Sequence, residues 1–439
     1  MTANANPVKT AAEQALAHAF DTHKASLPGQ AELREQAFAQ IAEDGLPHRR
    51  VEAWKYTDWR ALMREAAPLA ARPSEAVAKA ALNAAFPIKG CEISFVDGHH
   101  QATGKLPAGV TFMPLAAALA AGHADLAHLG ALAVTKDDVG LALNAAFMSD
   151  GAVLRVAAGT VIEQPIILRF VTTGETAAAT ALRSLLVVEE GASVTIVESH
   201  EFAHDAGHQP NTALEIMVAD KAEVTHLRLT AMASKGLGLS TMTADLGREA
   251  SLNALNVAIT GGAQRHQMFV RFSGKDARAQ INGLTVLRDR QHADHTLVVD
   301  HAGTGGISRE LFRTVLDDNA TGVFQGKIIV RQEAQQTDGR MASNCVMLHD
   351  GPVMNNKPEL EIFADDVACA HGATCGALDE DLLFYLMARG IGRREAENLM
   401  VESFLGETAD AIAHEGLREI VVAQVHQWLD VRAEGEVVA

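Results

Sequence analysis

The chain has 439 residues, of which 48% are hydrophobic and 21% are charged, a composition typical of a folded globular protein rather than a disordered one. Its 37 Lys and Arg residues are outnumbered by 55 Asp and Glu residues, so the formal net charge is −18 at pH 7. This excess of negative charge disfavours long-range attraction to nucleic acids and to anionic membranes.

The start of the chain, MTANANPVKTAAEQALAHAF, does not have the basic region and sustained apolar stretch of a secretory signal. No window approaches the roughly 18 uninterrupted apolar residues that a membrane span requires. The cysteines, at positions 91, 345, 369 and 375, are too few and too scattered for a disulfide framework. We therefore expect a cytoplasmic protein with reduced thiols.

Residues 1–140 are predicted to form an N-terminal domain of helices and mixed structure. Good helix formers fill residues 10–24, and a second helical run extends from Ala31 to Gly45, a suitable C-terminal glycine. The segment RRVEAWKYTDW, residues 49–59, contains two of the three tryptophans and is predicted to hold the helices against the rest of the fold. A short strand is expected at Glu92–Val96.

Residues 141–377 are predicted to form an all-β domain. Short β-branched runs such as PIILRF and SVTIVE recur between Gly, Asp and Asn residues, with no sustained 3.6-residue periodicity. Polar turn residues followed by alanine open successive runs, and these alanines lie 30, 28 and 27 residues apart at Ala192, Ala222, Ala250 and Ala277. Units of this length favour a β-solenoid. A large sandwich could give the same spacing by chance, and the pattern alone leaves both open.

Residues 378–439 are predicted to form a C-terminal helical domain. Asp379 can cap the first helix, and Gly390 is a natural stop. Apolar residues at helical spacing predict one packing face for each of three helices: Leu383, Leu386 and Met387; Ala396, Leu399, Met400 and Phe404; and Leu417, Val421, Val425, Trp428 and Leu429. We expect these helices to cap the end of the β domain, where a partner could also dock.

One short stretch, ADDVACAHGATCG at residues 364–376, indicates chemistry. If it is extended, Cys369 and His371 face the same side of a sheet, with backbones about 7 Å apart. A thiolate and an imidazole at this separation could contact one metal ion or two atoms of a cluster. A cysteine and a histidine this close also occur without any metal, so the spacing alone leaves both interpretations open.

The chain has neither the C-x₂-C-x₂-C run of a [4Fe–4S] site nor the paired spacing of a zinc site. It also has no phosphate-binding GxxxxGK[ST] loop and no G-x-S-x-G nucleophile motif. A site at Cys369 and His371 would therefore need ligands from another chain. A second group, formed by His292, Asp294, His295 and His301, matches no common metal spacing, and His292 and His295 are expected on opposite faces of a strand.

Several segments resemble the SufB/SufD family. The most specific is residues 357–400, KPELEIFADDVACAHGATCGALDEDLLFYLMARGIGRREAENLM, which resembles the C-terminal signature of that family. The resemblance continues in FQGKIIVRQEAQQTDG at 324–339, in LNAAFMSDG at 143–151 and in EAWKYTDW near the N-terminus. The tryptophan-lysine-tyrosine motif and the moderate length look like SufD members rather than the usually longer SufB members.

This resemblance implies a mainly β fold, a right-handed parallel β-helix flanked by N-terminal and C-terminal α-helical domains. It implies a non-catalytic subunit of the SufB–SufC–SufD scaffold for iron–sulfur cluster assembly. In such a complex the β-helix pairs with SufB, and the C-terminal helices dock a SufC ATPase. Iron or the nascent cluster would be shared with the partner chain and not held stably by this chain alone, with His371 and Cys369 as its contacts here. In isolation a homodimer is possible.

Two alternative functions remain open. A SufB-like chain would itself accept persulfide sulfur on Cys369, and a β-helix carbohydrate-active enzyme would need paired carboxylates across a cleft. Asp365 and Asp366 are adjacent and would face opposite ways on a strand, which disfavours the enzyme. Cys345 and Cys375 depart from the family pattern, and each is expected to be a small buried hydrophobe.

Overall fold

The computed structural model describes residues 9–132, 138–230, 234–259 and 261–435. The first eight residues, on which the expectation about a secretory signal partly depends, lie outside this description, as do the last four of the predicted C-terminal domain. None of the described helices combines the length and the apolar character needed to cross a membrane.

The described part of the chain contains nine α-helices and nineteen β-strands. The helices are α1 Ala11–His23, α2 Ala31–Asp44, α3 Trp59–Leu62, α4 Glu75–Ala84, α5 Leu115–Ala121, α6 Val139–Phe147, α7 Glu380–Ala388, α8 Arg393–Ala409 and α9 Glu415–Gly435. The strands are β1 Cys91–Val96, β2 His99–Thr103, β3 Val110–Pro114, β4 Ala152–Val156, β5 Ile166–Thr172, β6 Ala179–Val188, β7 Ser193–Phe202, β8 Gln209–Val218, β9 Glu223–Thr230, β10 Leu237–Leu246, β11 Ser251–Ile259, β12 Ala263–Phe272, β13 Arg278–Leu287, β14 His292–His301, β15 Ile307–Leu316, β16 Thr321–Val330, β17 Asp338–Met347, β18 Val353–Ile362 and β19 Ala368–Gly376.

The strands alternate between two sheets. The odd sheet has the order β19-β17-β15-β13-β11-β9-β7-β5-β1-β2, and the even sheet has the order β18-β16-β14-β12-β10-β8-β6-β4-β3. From β4 onward each strand pairs in parallel with the strand two places later. The mainly β fold is therefore a parallel β-solenoid with helical flanks, as predicted, and not a sandwich. Right-handed crossovers are the rule for such parallel connections.

The predicted alanine repeat marks the same corner of successive coils. Each alanine is fully buried and directly precedes a strand of the odd sheet. The residue before it has a positive φ in every case, namely Gly191, Lys221, Glu249 and Asp276. The left-handed residue turns the chain sharply, and only a small side chain fits the corner that follows. This geometry explains why a polar residue and an alanine recur together.

The N-terminal helices cover the outer face of the even sheet, except for α4, which packs against β1 of the odd sheet. Helix α6 packs between α2 and the strands β6, β8 and β10. The segment 49–59 holds this layer in place, because Trp54 and Trp59 are buried and the guanidinium of Arg265 lies 3.9 Å from the ring centre of Trp54. Thr57 adds a hydrogen bond to Asp294 on β14. The predicted role of this segment as an anchor is confirmed.

The C-terminal helices cover the outer face of the odd sheet. The predicted face of α9 is confirmed, because Leu417, Val421, Val425, Trp428 and Leu429 are all buried against outward residues of strands β7 to β15. The expectation that these helices cap the end of the solenoid is wrong. They lie beside the sheet instead, because outward leucines and valines of the odd sheet offer them an apolar surface. The last coil is left uncovered.

Candidate functional site

The last coil of the solenoid consists of β18 and β19, the terminal strands of the two sheets in the described part of the chain. Nearly every residue of β19 is exposed, whereas most residues of β13 and β15 are buried. An amino-acid side chain at Gly372 would meet nothing within 4 Å. The interior of the solenoid is therefore open to its surroundings at this end.

Cys369 and His371 lie on the inward face of β19, as the two-residue spacing predicts. Cys369 pairs in register with Gly339, and His371 pairs with Met341, a buried core residue on β17. Cys369 packs against the interior core and is half-buried, whereas His371 is exposed. Both residues therefore lie at the open end of the solenoid interior. The Cys369 thiol contacts the protein core, and the His371 imidazole is accessible from outside.

The environment of Cys369 keeps its thiol protonated. Burial raises the pKa of Cys369, and the negative charge of Asp338, joined by that of Glu310 once it ionises, raises it further, against a hydrogen bond with the Gly339 backbone that lowers it. Thiolates and not thiols bind metals. A cation that binds here would offset the nearby negative charge and release the thiol proton.

The space beneath Cys369 is lined by both apolar and polar groups, namely Ile328 and Ser308. Gly339 has no side chain to fill it, so the next inward group in the same row is the hydroxyl of Ser308. That hydroxyl lies 3.0 Å from Nε2 of His301, which stacks on Phe272 with ring centres 4.2 Å apart. Burial lowers the pKa of His301 to about 4, so this imidazole is neutral at pH 7. The thiol thus packs against the apolar core, with the Ser308 hydroxyl beside the gap that Gly339 leaves.

Within the described ranges, no group of three or more His, Cys, Asp and Glu side chains is arranged to hold a metal ion. Cys369 and His371 therefore provide two candidate ligands, without a third among the residues that the structure describes. A thiolate and an imidazole both suit iron and iron–sulfur clusters. Their assignment as iron or cluster contacts stays a prediction.

The second histidine group is divided by the sheet, as its spacing predicts. On the outer face, His292 Nε2 lies 2.9 Å from Thr57 Oγ1, and Asp294 accepts a 2.6 Å bond from Arg265. On the inner face, His295 and His301 point into the solenoid. Two of the four side chains thus anchor the N-terminal segment, and the other two belong to the interior.

Sequence reasoning missed the polar network inside the solenoid. Glu198 Oε2 lies 2.9 Å from His226 Nε2, Arg228 donates to Asn256 at 3.3 Å, and Asn256 Nδ2 lies 3.3 Å from His295 Nδ1. Burial lowers the pKa of His295 to about 4, which fits an Nδ1 that accepts this bond. The sequence did contain a signal for this network. Alternate residues of a strand face the same side of the sheet, and counting in steps of two from each buried alanine places Glu198, His226 and Asn256 on the inward face.

Cys345 and Cys375 lie opposite each other on β17 and β19. Cys345 is buried, as expected. Cys375 is exposed, so the expectation that it is a small buried hydrophobe is wrong. Cys375 is exposed because, in the described part of the chain, no further coil stacks on β19.

Helix α7 carries an exposed apolar surface, which we call the α7 patch: Leu382, Phe384, Tyr385 and Met387, with exposed fractions of 48%, 72%, 52% and 40%. Of the face predicted for this helix, only Leu383 is fully buried. The prediction that Met387 packs with it is wrong, because α8, which packs against α7, leaves most of the surface of α7 uncovered.

The fold and the site define the class of protein: a parallel β-solenoid with helices on both outer faces, whose last coil presents a thiol and an imidazole at an open end. Two family models match the chain. The SufBD protein N-terminal region matches residues 16–168, and the SufBD core domain of SUF system FeS cluster assembly matches residues 170–404.

Relatives agree with these matches. An iron–sulfur cluster assembly SufBD family protein of Synechocystis is 30% identical over 87% of this chain and 90% of its own length. The iron–sulfur cluster assembly protein SufD of Escherichia coli is 28% identical over 90% of this chain and 92% of its own. A SufBD family protein of Mycobacterium tuberculosis is 27% identical over 94% and 97%. The chain belongs to the SufB/SufD family of iron–sulfur cluster assembly proteins and is SufD-like.

Proposed function

We propose that this chain is the SufD-type subunit of a SufB–SufC–SufD scaffold in the cytoplasm and that it has no catalytic activity of its own. The observation that carries the proposal is the uncovered last coil, which presents Cys369 and His371 at the open end of the solenoid. Membership of the SufB/SufD family supports a role in iron–sulfur cluster assembly.

The edge strand β19 is suited to pair with another chain. Its sequence, ACAHGATCG, is nine residues long and contains no Lys, Arg, Asp, Glu or Pro. Exposed edges are normally protected by short strands or by such residues. At the opposite end the edge strands β2 and β3 have only five residues each. This asymmetry between the two ends indicates that the sheet continues into a second solenoid at the β19 end. We assign that second solenoid to SufB. When SufB is absent, we expect two copies of this chain to pair through β19.

Such a partner would also complete the ligand set. A [4Fe–4S] cluster needs about four protein ligands. Cys369 and His371 would supply two from this chain, and a facing solenoid would supply the others across the joint. Iron and the growing cluster are then cargo held between two chains, which suits a scaffold that must later give the cluster away.

The α7 patch supports docking of the second partner, the SufC ATPase. Four large apolar side chains exposed on one nine-residue helix exceed what scattered surface hydrophobes explain. The patch lies on the C-terminal helices and not on the uncovered coil, so the two partners need not compete.

The two alternatives are less well supported. Persulfide acceptance by Cys369 requires a nucleophilic thiolate, and its raised pKa works against this. Carbohydrate cleavage requires facing carboxylates, whereas Asp365 and Asp366 are exposed in the turn between β18 and β19. Persulfide on Cys369 after exposure to a cysteine desulfurase would revive the first alternative.

The test is co-expression with SufB and SufC, using a charge placed on the edge. A Cβ atom at Gly372 meets nothing within 4 Å, so we expect Gly372→Lys to fold normally. We expect this lysine to abolish recovery of SufB with the tagged chain. Val161→Lys, at an exposed site near the opposite end, is the matched control and should recover SufB normally. Undiminished SufB recovery with Gly372→Lys would overturn pairing through β19.

A further inference from the structure

A second pair of thiols meets on the inward face of the last two odd-sheet strands. Cys345 of β17 and Cys375 of β19 are register partners. Neighbouring strands lie about 4.8 Å apart, which is within the 4.4–6.8 Å range of Cα separations that disulfides span. The two side chains also point the same way, because paired residues of parallel strands share a face. The pair has the backbone geometry of a cross-strand dithiol.

The surroundings of the two thiols differ. Cys345 is 3% exposed, and burial and the neighbouring Cys375 raise its pKa to about 12. Cys375 is exposed, and its Sγ accepts a 3.3 Å hydrogen bond from Nδ2 of Asn356 on β18. Asn356 is oriented in turn by a 2.7 Å bond from the Ser343 hydroxyl. One thiol is therefore open to attack a reagent, and the other is held behind it.

We propose that Cys345 and Cys375 form a thiol modification site, a cross-strand dithiol that low-molecular-weight disulfides oxidise to an internal disulfide. The Cys375 thiolate attacks one sulfur of the reagent and expels the first thiolate. The Cys345 sulfur then attacks Cys375 Sγ, loses its proton and expels the second thiolate. Two protein thiols and one reagent disulfide give one protein disulfide and two reagent thiols, so electrons and protons balance.

This site is separate from the candidate iron contacts. Cys375 lies four residues beyond His371, about 13 Å along an extended strand. One metal ion or cluster cannot bridge that gap. The disulfide would instead tie β19 to β17 within the coil that presents Cys369 and His371. The inference does not depend on the proposed function, because it requires neither iron nor a partner chain.

The test uses the reduced full-length chain and oxidised glutathione, followed by alkylation under denaturing conditions and peptide mass spectrometry. We expect loss of two alkylatable thiols and a disulfide-linked pair of peptides that contain Cys345 and Cys375. Cys91 and Cys369 should stay alkylatable. A glutathione adduct that persists on Cys375 beside a free Cys345, or a link between Cys369 and Cys375, would overturn the proposal.

Cys375→Ser is the matched variant, because its exposed position makes misfolding a negligible concern. It should form no internal disulfide and leave Cys345 free. A trivalent arsenical, phenylarsine oxide, gives a second readout, since it binds only thiols close enough to share one arsenic. Wild type and Cys369→Ser should bind one equivalent, and Cys375→Ser should bind none. Equal binding by all three proteins would contradict the pairing.

Discussion

Glu310 and His371 lie in the same inward-facing row of the odd sheet, two strands apart, with Met341 between them. Glu310 is 2% exposed, and in the described part of the chain neither of its carboxyl oxygens makes a hydrogen bond of good geometry, although Ser308 lies close enough to lower its pKa slightly. Burial raises the pKa of Glu310 to about 8. A carboxyl that is largely protonated at neutral pH therefore lies beneath the open coil, at a cost to stability when it ionises.

Glu310→Gln tests this cost. Because the folded-state pKa is raised, wild type should lose stability as the pH rises from about 4.5 to about 8, where the unfolded chain releases this proton first. The glutamine variant has no such proton, so at pH 9 it should be more stable than wild type by a few kcal/mol. Urea unfolding at pH 5 and pH 9 measures the difference. The exposed Glu223→Gln is the control, and equal pH slopes in all three proteins would disprove the assignment.

Three interior histidines should give the opposite trend in acid. Burial lowers the pKa values of His200, His295 and His301 to about 4, whereas the unfolded chain protonates near 6.5. Stability should therefore fall as the pH drops from about 6.5 toward 4. The measurement belongs in the Glu310→Gln background, where the glutamate cannot mask the slope. His301→Gln should make the dependence of stability on pH shallower between pH 6.5 and pH 4. An unchanged dependence would show that His301 does not contribute to it.

The α7 patch gives a prediction about SufC. Phe384→Asp places a charge on the most exposed side chain of the patch, so retention of SufC on the tagged chain should fall at least tenfold, while SufB is still recovered. Quantitative pull-down from triple co-expression measures both partners at once. Val161→Asp controls for an added surface charge. If SufC retention stays normal in Phe384→Asp, the ATPase docks elsewhere.

Much of the fold could be predicted because its signals are local or periodic. The buried alanines from Ala192 to Ala277 mark the same corner of each coil in that stretch, and the apolar face of α9 is formed by residues of one continuous segment. The position of the C-terminal helices could not be predicted, because it depends on which sheet face is apolar. The apolar face is formed by outward residues of several strands, which the strand register brings together. The sequence of any single strand therefore does not reveal it.

The candidate site was predictable only in part for the same reason. The two-residue spacing placed Cys369 and His371 on one face. The exposure of Cys375 and the burial of Glu310 depend on how many coils stack above each strand, and the sequence around each residue carries no such information. Only the assembled solenoid distinguishes a last strand from an inner one.

We expect His371 to contact iron or cluster at a joint shared with SufB. The most direct test is the iron and sulfide content of the complex purified without air from co-expression with SufB and SufC, comparing wild type with His371→Ala. Thr374→Ala, an exposed substitution on the outward face of the same strand, is the matched control. We expect His371→Ala to assemble normally but to lose most of its iron and sulfide, while Thr374→Ala keeps both. Unchanged iron and sulfide in an intact His371→Ala complex would contradict the claim.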